Sequence, residues 1–364
     1  MSKILKEFEH YVQTQQYDNA DSIIESLLQS NCIADLERKE ALQLLYRIGY
    51  VYPELTLELC KQRNDIPMPF KDTLKVALGD IPPLRFYSQA DTLVAIKIAL
   101  IRRKSLLAKL LVYKFYRQYG LQPIKLIRNN KLTIGHNSKK IKKAYNTQKV
   151  SIIVTTYNSA NFIENCIESL LNQSIDNIEI IVVDDASTDN TTEILKKYLN
   201  IKIIELTENN GTYNARNIGI EQSNGEYITF QDSDDWSHPQ RLELQLNALL
   251  NTSTKVASFS HFFRVDESSG IPVCRQNYPL LRLNLSSMMI SRSVLKKLGS
   301  YDSSRRIESD KKLFQLIKSI YNESSISYVK KPLAIGSYRK NSLTTAHSSG
   351  FNKYGFSIER IYYD

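Results

Sequence analysis

The chain has 364 residues, 42% of them apolar and 24% charged, which is long enough for two folded domains and too apolar for a disordered protein. Its formal net charge of +10 is concentrated, because residues 92–163 hold fifteen Lys or Arg and no Asp or Glu, leaving −5 for the remainder. Four cysteines (Cys32, Cys60, Cys166, Cys274) without a CxxC pair exclude a disulfide framework or a zinc pattern and fit a reducing compartment. The opening residues, MSKILKEFEHYVQTQQYD, lack an apolar signal-peptide core, and no run reaches the roughly 18 apolar residues of a membrane span. A cytoplasmic location is expected.

Residues 1–90 read as a helical N-terminal domain. Ala20, Ile23, Ile24, Leu27 and Leu28 recur at helical spacing, and Leu42, Leu44, Leu45 and Ile48 form a second apolar run. The phrase YDNADSIIESLLQS resembles half of a tetratricopeptide hairpin, but no second copy follows. A helical cap packed on the rest of the chain is the plainer expectation. Pro67, Pro69, Pro82 and Pro83 break the pattern.

Residues 91–146 read as a basic amphipathic helix and a linker. The spacing predicts one long helix over 92–119, with Leu93, Ile96, Leu100, Leu107, Leu110 and Leu111 on one side and Lys97, Arg102, Arg103, Lys104 and Lys114 interspersed. Such a helix either lies in a membrane interface or buries its apolar side in protein while its basic side chains reach outward. The charge calls for an anionic partner. No helix-turn-helix, RRM or zinc-finger pattern accompanies it, so nucleic acid is not expected. An anionic membrane surface is, at about 1 kcal/mol per basic residue close to it, which would place the protein peripherally on the inner face of the cell membrane.

The periodicity changes at Val150. VSIIVTT (150–156) has the character of a buried parallel strand. Ile163, Cys166, Ile167, Leu170 and Leu171 then mark a helix with Cys166 on its inner face, a core residue and not a nucleophile. IEIIVVDD (178–185), IKIIEL (201–206) and EYITF (226–230) read as further strands. Between them lie the helices TTEILKKYL (191–199), with Asn190 and Glu193 as a capping box, and GTYNARNIGIEQS (211–223). Alternation at this spacing is that of right-handed βαβ units, so an α/β domain with a mostly parallel central sheet is expected.

Ligands bind outside the carboxyl ends of such strands. Three of the four strands end in polar clusters: Thr155, Thr156, Tyr157 and Asn158; Asp184, Asp185 and Ser187; Asp232, Ser233, Asp234 and Asp235. Adjacent carboxylates repel one another and need a cation or hydrogen-bond donors. A helix N-cap ahead of RLELQLNALL accounts for one acid of the 232–235 run, whereas a divalent metal accounts for the set. Mg2+ or Mn2+ prefers carboxylate oxygens and keeps positions open for a diphosphate. Neither a Walker-type GxxxxGKS/T nor a GxGxxG after the first strand is present, so metal is expected to neutralise the phosphates.

The stretches VSIIVTTYN (150–158), IVVDDASTD (181–189), NNGTYNARN (209–217) and GEYITFQDSDDWSHPQR (225–241) resemble, in order and spacing, the successive motifs of glycosyltransferase family 2. The likeness continues more loosely over 286–343 and does not cover residues 1–145. It implies a GT-A domain, a Rossmann-like nucleotide-diphospho-sugar transferase fold, over 147–345, followed by a tail at 346–364. By the motif match it implies Thr155 and Tyr157 beside the nucleotide base and ribose, and Asp185 hydrogen-bonded to the base, with Asp184 structural. Asp232, Ser233 and Asp234 match the DxD motif, with Asp234 the direct metal ligand and Asp232 near the ribose or a metal-bound water. Asp235 shares either task. Arg216 stands where the family often has an arginine, which either tethers these carboxylates or forms a structural ion pair.

The family inverts the anomeric centre by direct displacement, so a carboxylate must take the acceptor hydroxyl's proton. It lies at the start of a later helix, where RIESDKKLF (306–314) stands. Asp310, ahead of Leu313, Phe314 and Ile317, is the candidate base, and Glu308 is the runner-up because this chain has a serine between its acids. An ordinary acidic helix N-terminus is the plainer account of both. YRKNSL (338–343) resembles a segment that folds over the diphosphate, with Arg339 or Lys340 at phosphate. His347 either approaches the metal or is a loop residue, and His261 reads as a strand residue.

The expected reaction is transfer of a hexosyl or N-acetylhexosaminyl group from a nucleotide-diphosphate sugar, a UDP-sugar first among donors, to a hydroxyl of a glycan or lipid-linked acceptor in surface polysaccharide biosynthesis. The QxxRW motif of processive synthases is missing, since the one tryptophan is Trp236, and single-sugar transfer, or polymerisation without a built-in channel, is favoured. A sugar nucleotidyltransferase would instead carry a Gly-rich basic loop where VTTYNSANF stands. A helical scaffold with a degenerate transferase domain would have lost the acids that this chain keeps.

Overall fold

The computed structural model describes residues 3–14, 16–30, 33–129, 131–133, 145–273, 279–305 and 308–339. The N-terminal region is helical: α1 (Lys3–Gln13), α2 (Tyr17–Gln29), α3 (Arg38–Val51), α4 (Pro53–Leu59), α5 (Met68–Ala77), α6 (Thr92–Ile101) and α7 (Ser105–Gln118). Ala20, Ile24, Leu27, Leu44, Leu45 and Ile48 are buried, as their helical spacing predicts. Pro53 opens α4 at a position whose N–H would be unpaired in any case.

The single helix expected over 92–119 is two. Every residue of α6 from Thr92 to Leu100 except Lys97 is buried, so α6 belongs inside and the basic triplet after it belongs in water. The chain turns there. Arg103 takes φ 54°, and the N–H groups of Arg103 and Lys104 close back on the carbonyls of Leu100 and Ala99, an αL helix stop formed without glycine. A short hairpin follows, β1 (Ile127–Arg128) and β2 (Lys131–Leu132).

The second region alternates as the sequence predicts: β3 (Val150–Thr156), α8 (Ile163–Leu171), β4 (Ile178–Asp184), α9 (Thr191–Leu195), β5 (Lys202–Glu205), α10 (Thr212–Glu221) and β6 (Tyr227–Asp232). These four strands pair in parallel in the order β5, β4, β3, β6. The chain continues through β7 (Trp236–Ser237), α11 (Arg241–Leu250), β8 (Ala257–Asp266), β9 (Pro272–Val273), β10 (Arg282–Ser291), α12 (Arg292–Leu298), α13 (Ser309–Tyr321) and β11 (Ile326–Tyr338). β10 joins β6 antiparallel, and β8, β11 and β7 extend the same sheet, with β11 parallel to β8.

Apolar side chains of β3 and β4 pack with α8 and α11 on one face, and Ile153, Ile228 and Phe230 pack with α12 and α13 on the other. The N-terminal core is continuous with Trp236, Phe263, Val265, Leu333 and Ile335, so the helices sit on β7, β8 and β11. Register completes the preparation of the site. Thr155 lies opposite Asp232 and Thr156 opposite Asp184, which brings three polar strand ends to one rim.

Candidate active site

The loops at this rim are tied to one another by short polar side chains. Asp184 is buried and accepts from the Ser187 N–H and the Thr192 hydroxyl at 3.1 and 2.6 Å, fixing the turn after β4. The expected capping box at Asn190 and Glu193 does not form: Asn190 makes no cap, and Asp189 Oδ1 receives the Thr191 N–H at 3.0 Å instead. Asp185 is also buried, and its two oxygens accept from the N–H groups of Asn210 and Gly211 at 2.9 and 2.8 Å. It therefore positions the start of α10. Asn158, at φ 48°, accepts from the Thr188 N–H at 2.8 Å, and Thr155 Oγ1 meets Thr212 Oγ1 at 2.9 Å. Tyr157 is exposed beside them.

The acidic run forms a tight turn in which the Asp235 N–H donates to the Asp232 carbonyl at 3.1 Å. Arg216 Nη2 donates to Asp232 Oδ1 at 2.7 Å, and the Arg216 side chain is only 3% exposed. Three aromatic rings surround the guanidinium, Tyr213, Phe230 and Tyr301, with centroids at 5.5, 5.6 and 5.3 Å. Burial opposes the Arg216 charge, but Asp232 and the neighbouring phenols hold its pKa above the ordinary value. Asp234 is raised by burial and by Asp232, against the opposing charges of Arg339 and Arg264, and Arg339 Nε lies 3.3 Å from Asp234 Oδ2. Asp235 is pushed well above the ordinary carboxylate range by burial and then by Asp234 and Asp232. Asp232, Asp234 and Asp235 are crowded and half-buried at the sheet's rim, and carboxylate oxygens are the donors a hard divalent cation prefers. Among the described residues no three His, Cys, Asp or Glu side chains stand in a group that could hold a metal ion as they are placed.

Asp310 lies in the first turn of α13, and the Tyr213 hydroxyl donates to its Oδ1 at 3.1 Å. Tyr213 also stacks on Tyr301 at 5.4 Å. A path thus runs from Asp232 through the buried Arg216 and Tyr213 to Asp310. Glu308 stands just before the helix at φ 63°, with Lys311 Nζ 3.9 Å from its carboxylate. The structure therefore joins Asp310 to the acidic turn and gives Glu308 a lysine partner. Cys166 is buried under the turn, with Gln231 Nε2 3.3 Å from Sγ, and burial raises its thiol far above the range of a nucleophile. His261 lies in β8, and Arg339 covers the Phe162 ring at 4.7 Å. Arg306, Lys340, His347 and the 346–364 tail lie outside the described residues.

Sequence reasoning missed Tyr213, Tyr301 and Arg241. Tyr213 and Arg216 stand three apart in α10, a spacing that puts them on one helix face, which was the available signal. Arg241 is fully buried at the start of α11, with Nη1 on the Phe230 carbonyl at 3.2 Å and a charge that opposes the acidity lost at Asp235. Nothing local in the sequence marks it.

Residues 151–307 match the family model for glycosyl transferase family 2. They belong to that family. The glycosyltransferase domain is 45% identical over 104 residues to the putative glycosyltransferase EpsH of Bacillus subtilis, covering 28% of this chain and 30% of EpsH. It is 41% identical over 108 residues to the putative teichuronic acid biosynthesis glycosyltransferase TuaG of the same species, covering 29% of this chain and 43% of TuaG. The chain thus spans less than half the length of these relatives. A crystal structure of Staphylococcus aureus TarS 1–349 in complex with UDP-GlcNAc aligns with a TM-score of 0.45 and 25% identity, over 55% of this chain and 62% of that one. The α/β sheet with its parallel half is the arrangement expected of a GT-A domain, behind an all-α N-terminal region.

Proposed function

We propose that this chain is a metal-dependent, inverting glycosyltransferase that moves a sugar from a nucleotide-diphosphate sugar, a UDP-sugar by preference, to a hydroxyl of a glycan or lipid-linked acceptor. The observation that carries the reading is the link from Asp232 through the buried Arg216 and Tyr213 to Asp310. An acidic turn by itself would serve cation binding. Sugar transfer also needs a separate carboxylate to receive a proton, and this link keeps one beside the turn.

In this reading Asp234 and Asp235, with Asp232, would hold Mg2+ or Mn2+, which would supply positive charge for the departing diphosphate. Asp310 accepts the hydroxyl proton as the acceptor oxygen bonds to the anomeric carbon and that carbon's bond to the diphosphate breaks. Tyr213 keeps Asp310 in place. Arg339, paired with Asp234, is near enough to exchange that partner for phosphate. Thr155, Tyr157 and Asp185 line the nucleoside, and Asp185 keeps acceptor capacity beyond its two backbone donors. We read 147–345 as the catalytic unit, 1–90 as its helical companion, 91–146 as the part that meets an anionic membrane on the inner face of the cell membrane, and 346–364 as a tail. The likeness to TuaG, a putative teichuronic acid biosynthesis glycosyltransferase, supports surface polysaccharide as the setting.

The test is a donor screen. Purified full-length protein is given UDP-, GDP- and TDP-sugars with Mn2+, Mg2+ or chelator, and released nucleotide is identified. Metal-dependent release of nucleoside diphosphate is expected. Release of pyrophosphate would instead mark a sugar nucleotidyltransferase, and no turnover with any donor would leave the helical scaffold reading.

A further inference from the structure

Helix α7 is packed on one side only. Its inner face buries Ala108, Leu111, Val112, Phe115 and Tyr116. Phe115 meets Phe263 edge-on at 5.9 Å, and Tyr116 stacks on His238 at 5.2 Å. The outer face exposes Leu106, Leu110 and Tyr113 at 73, 60 and 54%. Their spacing, i, i+4 and i+7, makes one stripe. Phe86, 71% exposed, lies next to it with Lys114 Nζ 5.6 Å over its ring. Arg103, Lys104, Lys109, Lys114 and Arg117 are exposed along the same helix and its leading turn, and residues 92–163 contain no acid.

A surface helix in water normally turns polar side chains outward. Here large apolar side chains hold the outer stripe, and the charges that frame it have one sign. Pairing two copies through this face would set lysine against lysine, because a two-fold contact opposes the same patch on both subunits. An anionic bilayer meets both features at once, since its phosphates match the basic frame and its acyl boundary takes the stripe.

We propose that the outer face of α7, together with Phe86, seats the chain on an anionic membrane surface. Leu106, Leu110, Tyr113 and Phe86 enter the interface, while the flanking lysines and arginines contact lipid phosphates. This deepens the membrane part of the proposed function, and the face carries it without any step of sugar transfer. The consequence is positional. Tyr116 and Phe115 bolt the inner face of α7 to His238 and β8, just beyond the acidic turn, so seating α7 holds the active-site rim at a set height above the lipid.

The test is co-sedimentation of the full-length protein with vesicles rich in phosphatidylglycerol or made of phosphatidylcholine alone. Binding to the first, weakened by salt, and not to the second is expected. The triple variant L106S/L110S/Y113S should lose binding. K104Q/K109Q/K114Q should bind roughly 100-fold more weakly, about 5-fold for each charge removed. All six positions are exposed, so both variants should keep the wild-type circular dichroism spectrum and release nucleotide from donor at the wild-type rate in the absence of vesicles. Wild-type protein that ignores anionic vesicles, or variants that bind as it does, would overturn the proposal. So would a dimer in sedimentation equilibrium that the serine variant dissociates, with no vesicle binding. Protein that binds vesicles but turns over no donor would count against the transferase reading and leave this one standing.

Discussion

Tyr213 gives the candidate base its orientation, and that is where the residue-scale predictions begin. Replacing Asp310 with Asn removes the proton acceptor while preserving shape, and turnover should drop about 100- to 10,000-fold with little change in donor KM. Glu308→Gln should cost far less, because Tyr213 orients Asp310, whereas Glu308 has Lys311 at 3.9 Å. The reverse ranking would transfer the role to Glu308. Tyr213→Phe removes one hydroxyl from Asp310 and leaves the ring on Arg216, so kcat should fall roughly 10-fold, within the range of one lost hydrogen bond to a charged group. An accompanying shift in the pH profile of kcat would separate positioning from simple loss of fold. Asp234→Ala should abolish turnover and make donor binding indifferent to Mn2+, measured by calorimetry with and without the ion. Near-normal metal-dependent activity in that variant would remove Asp234 from the ion's ligands.

The elements carry the rim only because their ends are aligned, and the alignment begins at the opposite edge of the sheet. Glu179 in β4 accepts from Ser151 Oγ at 2.5 Å and from the N–H groups of Asn224 and Gly225 at 2.5 and 3.0 Å, and Lys149 pairs with it at 2.8 Å. Burial alone would raise the Glu179 pKa, but Lys149 and these donors hold it down to about 2. Gly225 completes the junction, since a Cβ there would stand 2.6 Å from the Ser151 nitrogen and 2.9 Å from the Lys149 carbonyl oxygen. Both are backbone atoms and cannot swing aside. Gly225→Ala should therefore destabilise the fold by about 1–3 kcal/mol in urea titration, and an unchanged midpoint would show that the strands can separate without cost. These elements were legible from period and turn chemistry, which depend on neighbours in the chain. The split of α6 from α7 was not. A continuous apolar pattern does not say that one half will be enclosed by α5 and the sheet while the other stays at the surface.

At the scale of the molecule, the helical region and the glycosyltransferase domain share a core, and His238 is buried at their junction. Its Nε2 contacts the Gln122 carbonyl at 3.0 Å, and its Nδ1 accepts from the Gln240 N–H at 3.2 Å, which requires the neutral ring. Burial lowers its pKa to about 4, against roughly 6.5 in an unfolded chain. Between those values the unfolded state binds the extra proton, so stability falls as pH drops from 6.5 toward 4. At pH 5 the loss from this one group is on the order of 2 kcal/mol. Denaturant titrations at pH 7 and pH 5 should show a smaller difference for His238→Gln than for the wild type, and equal differences would place the acid sensitivity elsewhere.

What the residues determined unaided was everything written in short range: the alternating strands and helices, the acids that end β6, Cys166 as a core thiol, and the charge gathered between 92 and 163. Packing alone decided which distant groups act together. Arg216 on α10 finds Asp232 at the end of β6, Tyr213 reaches Asp310 on a helix far along the chain, and α7 turns one side to β8 and the other to solvent. Periodicity records which side of an element avoids water. It does not record what that side meets, because the partner is chosen when separate elements compete to bury the same surface.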